Sequence, residues 1–154
     1  MRWKMDHTVR AEIDIDGPPE AVWQTLVDFE RYPEWNPFTP RVESTLELGA
    51  PIDMRVVMRG GRTIRQREYV CEHVPGSRVA WEMRLGRLLH ARRVQRVSAL
   101  DGQRTRYVSE DRVRGLLAPL VLALFERSIQ DGFDQAAAAL KRRVESASAG
   151  GAAG

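Results

Sequence analysis

Cysteine is nearly absent from this 154-residue sequence: Cys71 stands alone, so no disulfide can close within the chain. A lone thiol suits a reducing cytoplasm, which is the expected compartment. Lysine is almost as scarce. Only Lys4 and Lys141 occur among the 24 basic residues, and the rest are arginine. These are dispersed among 21 acidic residues and leave a net charge of +3. No basic block marks a nucleic-acid arm, and few aromatics interleave with the arginines, so no nucleic-acid partner is expected. No run of 18 apolar residues is present, and no integral membrane association is expected. The start, "MRWKMDHTVR", has no apolar stretch of the secretory-signal kind.

Chemistry of several kinds is missing too. His7, His73 and His90 fall far apart. Cys71 and His73, spaced for one face of a strand, offer two ligands at most, so no metal and no cofactor are expected. Gly60-Gly61 lies between strands rather than before a helix, which makes it a turn and not a phosphate loop. No base flanks Cys71 and no serine sits in a sharp elbow.

What is present is a clear run of elements. "HTVRAEIDI" alternates from Val9, with Val9, Ala11, Ile13 and Ile15 on one side, as in a half-buried strand. "DGPPEAVWQTLVDF" predicts a short helix that Asp16 or Gly17 can cap, with Val22, Leu26 and Phe29 on its apolar face. "DFERYPEWNPF" follows as a stiff aromatic corner with a short helical turn between Tyr32 and Trp35. Six strands come next: "RVESTLEL", "PIDMRVVMRG", "RTIRQREYVCEHV", "RVAWEMRL", "LHARRVQRVSA" and "TRYVSEDRV". Gly60-Gly61, "VPGS" and Asp101-Gly102 supply turns between them. A long helix spans Pro119 to Ser146, with a predicted stripe through Leu120, Leu124, Ile129, Phe133, Ala136, Ala137, Leu140 and Val144. Its start, "PLVLALFE", is apolar nearly all round and needs a second neighbour, a cavity or a partner. Strands followed by one long helix argue for an α+β domain over residues 1–146, with residues 147–154 a disordered tail.

Three pieces, "IDIDGPPEAVWQTLVDFERYPEWNPF", the β meander, and "VRGLLAPLVLALFERSIQDGFDQAAAALKRRVE" with Gly115 ahead of the helix, resemble the SRPBCC (START-like, Bet v 1-like) superfamily. The likeness covers residues 8 to 146 and lies towards the polyketide cyclase/dehydrase-like branch. The resemblance implies a helix-grip fold: a curved seven-stranded antiparallel sheet around a long C-terminal helix, with two short helices after strand 1. It also implies a cavity between sheet and helix for a lipid, hormone, quinone or polyketide. The family pattern E-x-F-x-G reads here Asp111-Arg112-Val113-Arg114-Gly115, so the acid is kept as aspartate and the aromatic is lost.

Alternation gives an expected lining of Met54, Val56, Met58, Ile64, Val70, Trp81, Met83, Leu85, Val94 and Val113. Flexible methionines suit an adaptable cavity wall. In the same phases Gln66, Glu68, Arg92, Arg96, Tyr107, Ser109 and Asp111 point inward. Charges there must pair or reach water, and Arg92 or Arg96 with Glu68 or Asp111 is the expected pairing. A β-bulge would reverse the phase of everything after it. The resemblance also implies that Tyr32, Pro37 and Phe38 border the cavity mouth, because in similar proteins this corner lies at the entrance. In the related cyclases such groups orient a polar polyketide, which makes Asp111, Tyr107 and Arg92 the candidate catalytic set. Three functions follow: binding of a hydrophobic small molecule, catalysis of the polyketide cyclase/aromatase kind, and a protein- or membrane-interaction module built on the apolar start of the last helix. Homodimerisation through that helix or an edge strand stays open.

Overall fold

The structure is a computed structural model that describes residues 6–151. Residues 1–5 of the expected domain and 152–154 of the expected tail lie outside the described residues. Seven strands form one antiparallel sheet: β1 (Asp6–Asp16), β2 (Arg41–Glu43), β3 (Pro51–Val57), β4 (Thr63–Val74), β5 (Arg78–Leu85), β6 (Leu89–Ala99) and β7 (Arg104–Arg114). Their order in the sheet is β1-β7-β6-β5-β4-β3-β2, so the meander returns its last strand to the first. A short helix, α1 (Pro19–Val27), and a 3₁₀ turn (Phe29–Glu34) separate β1 from β2. The long helix α2 (Ala118–Gly151) packs on β1, β7 and α1. This is the helix-grip arrangement.

Helix α2 runs past the expected end at Ser146 and reaches Gly151, because the small residues that suggested a loose tail include alanines, which continue a helix well. β2 is shorter than "RVESTLEL" suggests. Ser44 Oγ accepts from Leu46 N–H at 3.1 Å and Leu46 sits at φ 60°, which turns the chain off the sheet edge. α1 is capped by neither Asp16 nor Gly17. Asp16 completes β1, Pro18 holds the cap position without a side-chain bond, and Pro19 begins the helix.

The aromatic corner is mainly a joint. Phe29, Tyr32 and Trp35 meet edge to face, with centroids 5.2 and 4.9 Å apart. The Tyr32 hydroxyl donates to Leu26 O at 2.5 Å and so satisfies a carbonyl at the end of α1. Buried Asn36 accepts from the N–H groups of Phe38 and Thr39, both at 3.0 Å. These bonds carry Phe38 across to α2, where its ring lies against Gly132 and meets Phe133 edge-on at 5.8 Å.

The two halves of α2 differ. From Phe133 onward, Phe133, Ala136, Ala137, Leu140 and Val144 are buried in the main core with Ile15, Leu26 and Ile52. From Pro119 to Asp131 no residue is fully buried. The expected stripe is wrong at its start: Leu120 and Leu124 are 57% and 65% exposed. The inward positions are Val121, Phe125 and Ile129, which step back from Phe133 by four residues each and keep the helical period.

Gly115 joins β7 to α2 at φ 114°, where a Cβ would stand 2.5 Å from Leu88 O. Both the backbone angle and the space require glycine. Gly115→Ala is expected to cost roughly 2–4 kcal/mol of stability in urea denaturation. An unchanged midpoint would show that the approach to α2 tolerates a side chain.

Candidate functional site

Between the main seat of α2, from Phe133 onward, and a small contact of Ala118 with Leu89 and Val113 at its start, a cavity of about 330 Å³ remains against the sheet. Its wall comes from β3 (Met54, Val56), β4 (Gln66, Glu68), β5 (Trp81, Met83), β6 (Leu89, Ala91, Arg93) and β7 (Asp111, Val113). Met58, Ile64 and Arg65 of the β3–β4 hairpin, Phe38 and Thr39 of the corner, and Val121, Phe125, Ile129 and Phe133 of α2 complete it. Most of this wall is apolar, and the polar groups converge on one region.

That region is built across three neighbouring strands. Trp81 pairs in register with Arg93, and Arg93 with Asp111, so all three side chains leave the same face of the sheet in a row. The Arg93 guanidinium lies 4.5 Å from the Phe133 ring centroid, 5.5 Å from Trp81 and 5.8 Å from Phe38. Its Nε–H donates to Ser109 Oγ at 3.3 Å. Glu68 is 5% exposed and accepts from Gln66 Nε2 at 3.0 Å. Burial, reinforced by the negative charge of Asp111, pushes the Glu68 carboxyl up to about 8, although Arg93 opposes the shift. Burial raises Asp111 as well, again against the pull of Arg93. Among the described residues, Asp111 Oδ1 and Trp81 Nε1 are buried without a hydrogen-bond partner. At neutral pH the site therefore holds a fixed cation beside a carboxyl that keeps its proton.

Several expected residues do not line this cavity. Arg92, Val94 and Arg96 are on the outer face of β6: Arg92 Nη2 donates to Glu72 at 2.8 Å and Arg96 Nη1 to Glu110 at 3.0 Å. The pairing with Glu68 or Asp111 is thus corrected. Val94 is buried on that outer face, with Ala80 and Glu110 opposite it and Arg92 and Arg96 next to it on the same face of β6, where their long stems can cover it. Leu85, at the end of β5, is 52% exposed. Tyr107 and Ser109 face inward below the cavity. The Tyr107 hydroxyl donates to Gln95 Oε1 at 2.5 Å, and burial raises its pKa. Tyr32 is in the core under the corner rather than at the mouth. Val70 is buried in the core opposite Trp81, also outside the lining.

Cys71 and His73 do not share a face. Val70 stands opposite Trp81 and Glu72 opposite Ala80, so Cys71 is the extra residue of a β-bulge. Beyond it the phase reverses, and His73 stacks inside on Trp23 at 6.0 Å. Among the described residues no three His, Cys, Asp or Glu side chains gather as a metal site.

Arg93, the central group, was not among the expected residues. A signal for it existed: Leu89, Ala91 and Val97 share its phase on β6, against Val94 alone in the other.

A family model described as polyketide cyclase / dehydrase and lipid transport matches residues 6–145. No curated protein matches the sequence. Among solved structures, TTHA0849 from Thermus thermophilus is 22% identical, with TM-score 0.71 over 92% of this chain and 99% of that one. The Zhui aromatase/cyclase from Streptomyces sp. R1128 is 19% identical, with TM-score 0.66 over 90% and 96%. A START superfamily protein from Mycobacterium smegmatis is 19% identical, with TM-score 0.68 over 91% and 98%. These likenesses show a shared fold.

The raised Glu68 carboxyl has a consequence for stability. The folded chain keeps a proton there that the unfolded chain releases near the ordinary value of 4.5. Its contribution is full below that value and is lost as pH rises through about 8. Asp111 acts in the same sense. Surface acids with lowered values, such as Asp14 beside Arg106, act in the opposite sense and in more acidic solution. Between these two values unfolding free energy should fall with pH by up to about 1.4 kcal/mol per unit, and Glu68→Gln should flatten the slope. Equal slopes for the two proteins in urea titrations would contradict the assignment.

Proposed function

The chain belongs to the polyketide cyclase / dehydrase and lipid transport family, and on that basis we propose that it binds a hydrophobic small molecule, of lipid, quinone or polyketide kind, between sheet and α2. The observation that carries this reading is the cavity itself. Its volume, about 330 Å³, falls at the small end of the range of ligand sites, about 300–1,000 Å³. An apolar wall with a few convergent polar groups is the pattern that orients a mostly apolar ligand. The ligand's apolar body lies along Met54, Val56, Met83 and Val113, and its polar end meets Arg93, Glu68 and Asp111. In this reading Asp111 keeps the place that the resemblance implies for it, Arg93 stands where Arg92 was expected, and Tyr107, bonded to Gln95, takes no part.

Filling the cavity tests this. Wild-type protein should bind about one Nile red molecule per chain, displaced by the natural ligand class and detected in parallel by native mass spectrometry. Ala91→Phe should weaken binding by roughly tenfold or more without lowering Tm. Absence of binding in both measurements would remove the reading.

One observation favours a second reading, cyclisation or dehydration of a poly-β-keto substrate. Glu68, protonated near neutral pH, can give a proton to a carbonyl or leaving hydroxyl. Arg93, held among three rings, can stabilise the enolate oxygen that develops. Glu68→Gln and Arg93→Met should each lower kcat by about 10²-fold on such a substrate, with Nile red affinity retained. Unchanged turnover would leave binding alone.

A further inference from the structure

Of the twelve large apolar side chains exposed among the described residues, eight are at one end of the molecule. They include Leu116, Leu120, Leu124 and Phe125 around the start of α2, Leu88 of the β5–β6 turn, and Ile64 of the β3–β4 hairpin. The turn and the helix start are joined directly, since Leu117 N–H bonds Leu88 O at 2.8 Å. Leu116 and Leu124 are each 65% exposed, a high value for residues so close together. Ile64 and Phe125 also belong to the cavity wall, so this patch borders the cavity.

Arginines surround the leucines. A groove between the hairpin and α2 places Arg59, Arg62 and Arg127 beside Leu124 and Phe125, and Arg87 precedes Leu88 in the adjoining turn. Arg59 reaches Asp131 at 3.7 Å. Among the described residues no carboxylate lies within 4.0 Å of Arg62, Arg87 or Arg127. Elsewhere on the sheet's outer face many arginines are paired, as Arg92 is with Glu72 and Arg106 with Asp14. The acid in the groove, Glu126, is engaged by His7 Nε2 at 2.7 Å.

We propose that this end of the protein docks peripherally on an anionic lipid surface. The leucines at the start of α2 enter the acyl boundary, and Arg62, Arg87 and Arg127 meet the lipid phosphates. A helix start with exposed aliphatic side chains flanked by arginines has the make-up of an interfacial anchor. No described helix is long and apolar enough to cross a membrane, so the attachment is to one leaflet. A second copy of the chain fits the patch less well, because a two-fold contact would bring together two arginine-rimmed patches that offer each other few free carboxylates. Docking sets the cavity's hairpin and helix rim against the bilayer, where a poorly soluble ligand can move without crossing water. The surface stands independently of the binding reading above, because it is measured without ligand.

The test is co-flotation with phosphatidylcholine vesicles, with or without phosphatidylglycerol, at low and high salt. Wild-type protein should partition onto the anionic vesicles and be released by salt. Leu120→Ser/Leu124→Ser should lose roughly tenfold or more in partitioning, and Arg62→Glu/Arg127→Glu should lose the preference for anionic lipid. Both pairs are exposed, and circular dichroism together with the urea midpoint confirms that the variants remain folded. No partitioning of the wild type, or partitioning unaffected by the leucine pair, overturns the proposal. A wild-type dimer that Leu120→Ser/Leu124→Ser converts to monomer also overturns it, because a second copy then covers the patch. Vesicle binding without Nile red binding sinks the cavity reading and leaves this one standing.

Discussion

A guanidinium on the inner face of a sheet must be compensated where it stands, and the interior of this protein is arranged around that constraint at Arg93. Three aromatic rings cover the group, Ser109 accepts one of its N–H bonds, and the carboxyls of Glu68 and Asp111 share its environment. Two acids near one cation, away from water, cannot both ionise cheaply, and Glu68 keeps its proton to about 8. The polar region is the direct result, and it gives an otherwise apolar cavity its chemical direction.

The cavity exists because α2 is anchored by only part of its length. Small residues, Ala136 and Ala137, let the helix settle on β1 and the core, while Phe133 and Leu140 fill the space on either side. At its start the helix has only a small second seat, Ala118 against Leu89 and Val113 with Val121 and Leu122 beside it. Gly115 fixes where it leaves β7, and Phe38, set against Gly132, holds the sheet-side corner to its middle. The span between these two points is left over open volume, with apolar residues facing both the cavity and the outside. The same geometry thus accounts for the binding space and for the exposed leucines beside it.

Much of the architecture was legible beforehand. Alternation located all the longer strands, and on β1, β3 and β7 it also assigned the inward face. The phase of β6 was not legible from Val94, because arginine stems can bury a valine on the outer face as well as an inner wall can. The bulge at Cys71 likewise lies in no propensity; it is seen in the register of β4 against β5. On α2 the apolar residues surround the first turns, so period alone offered two stripes and the expected one included Leu120 and Leu124. Tyr107 was rightly placed on the inner face, yet only packing showed that its hydroxyl is spent on Gln95.

The class of fold, the order of elements, the glycine before the long helix and the aromatic corner are all readable along the chain, because each depends on local periodicity and backbone geometry. Tertiary structure decided which charge lies inside, which acid keeps its proton and where the leucines emerge. Those outcomes depend on strand register, a single bulged residue and the seating of one helix, and these arise only when distant parts of the chain are brought into contact.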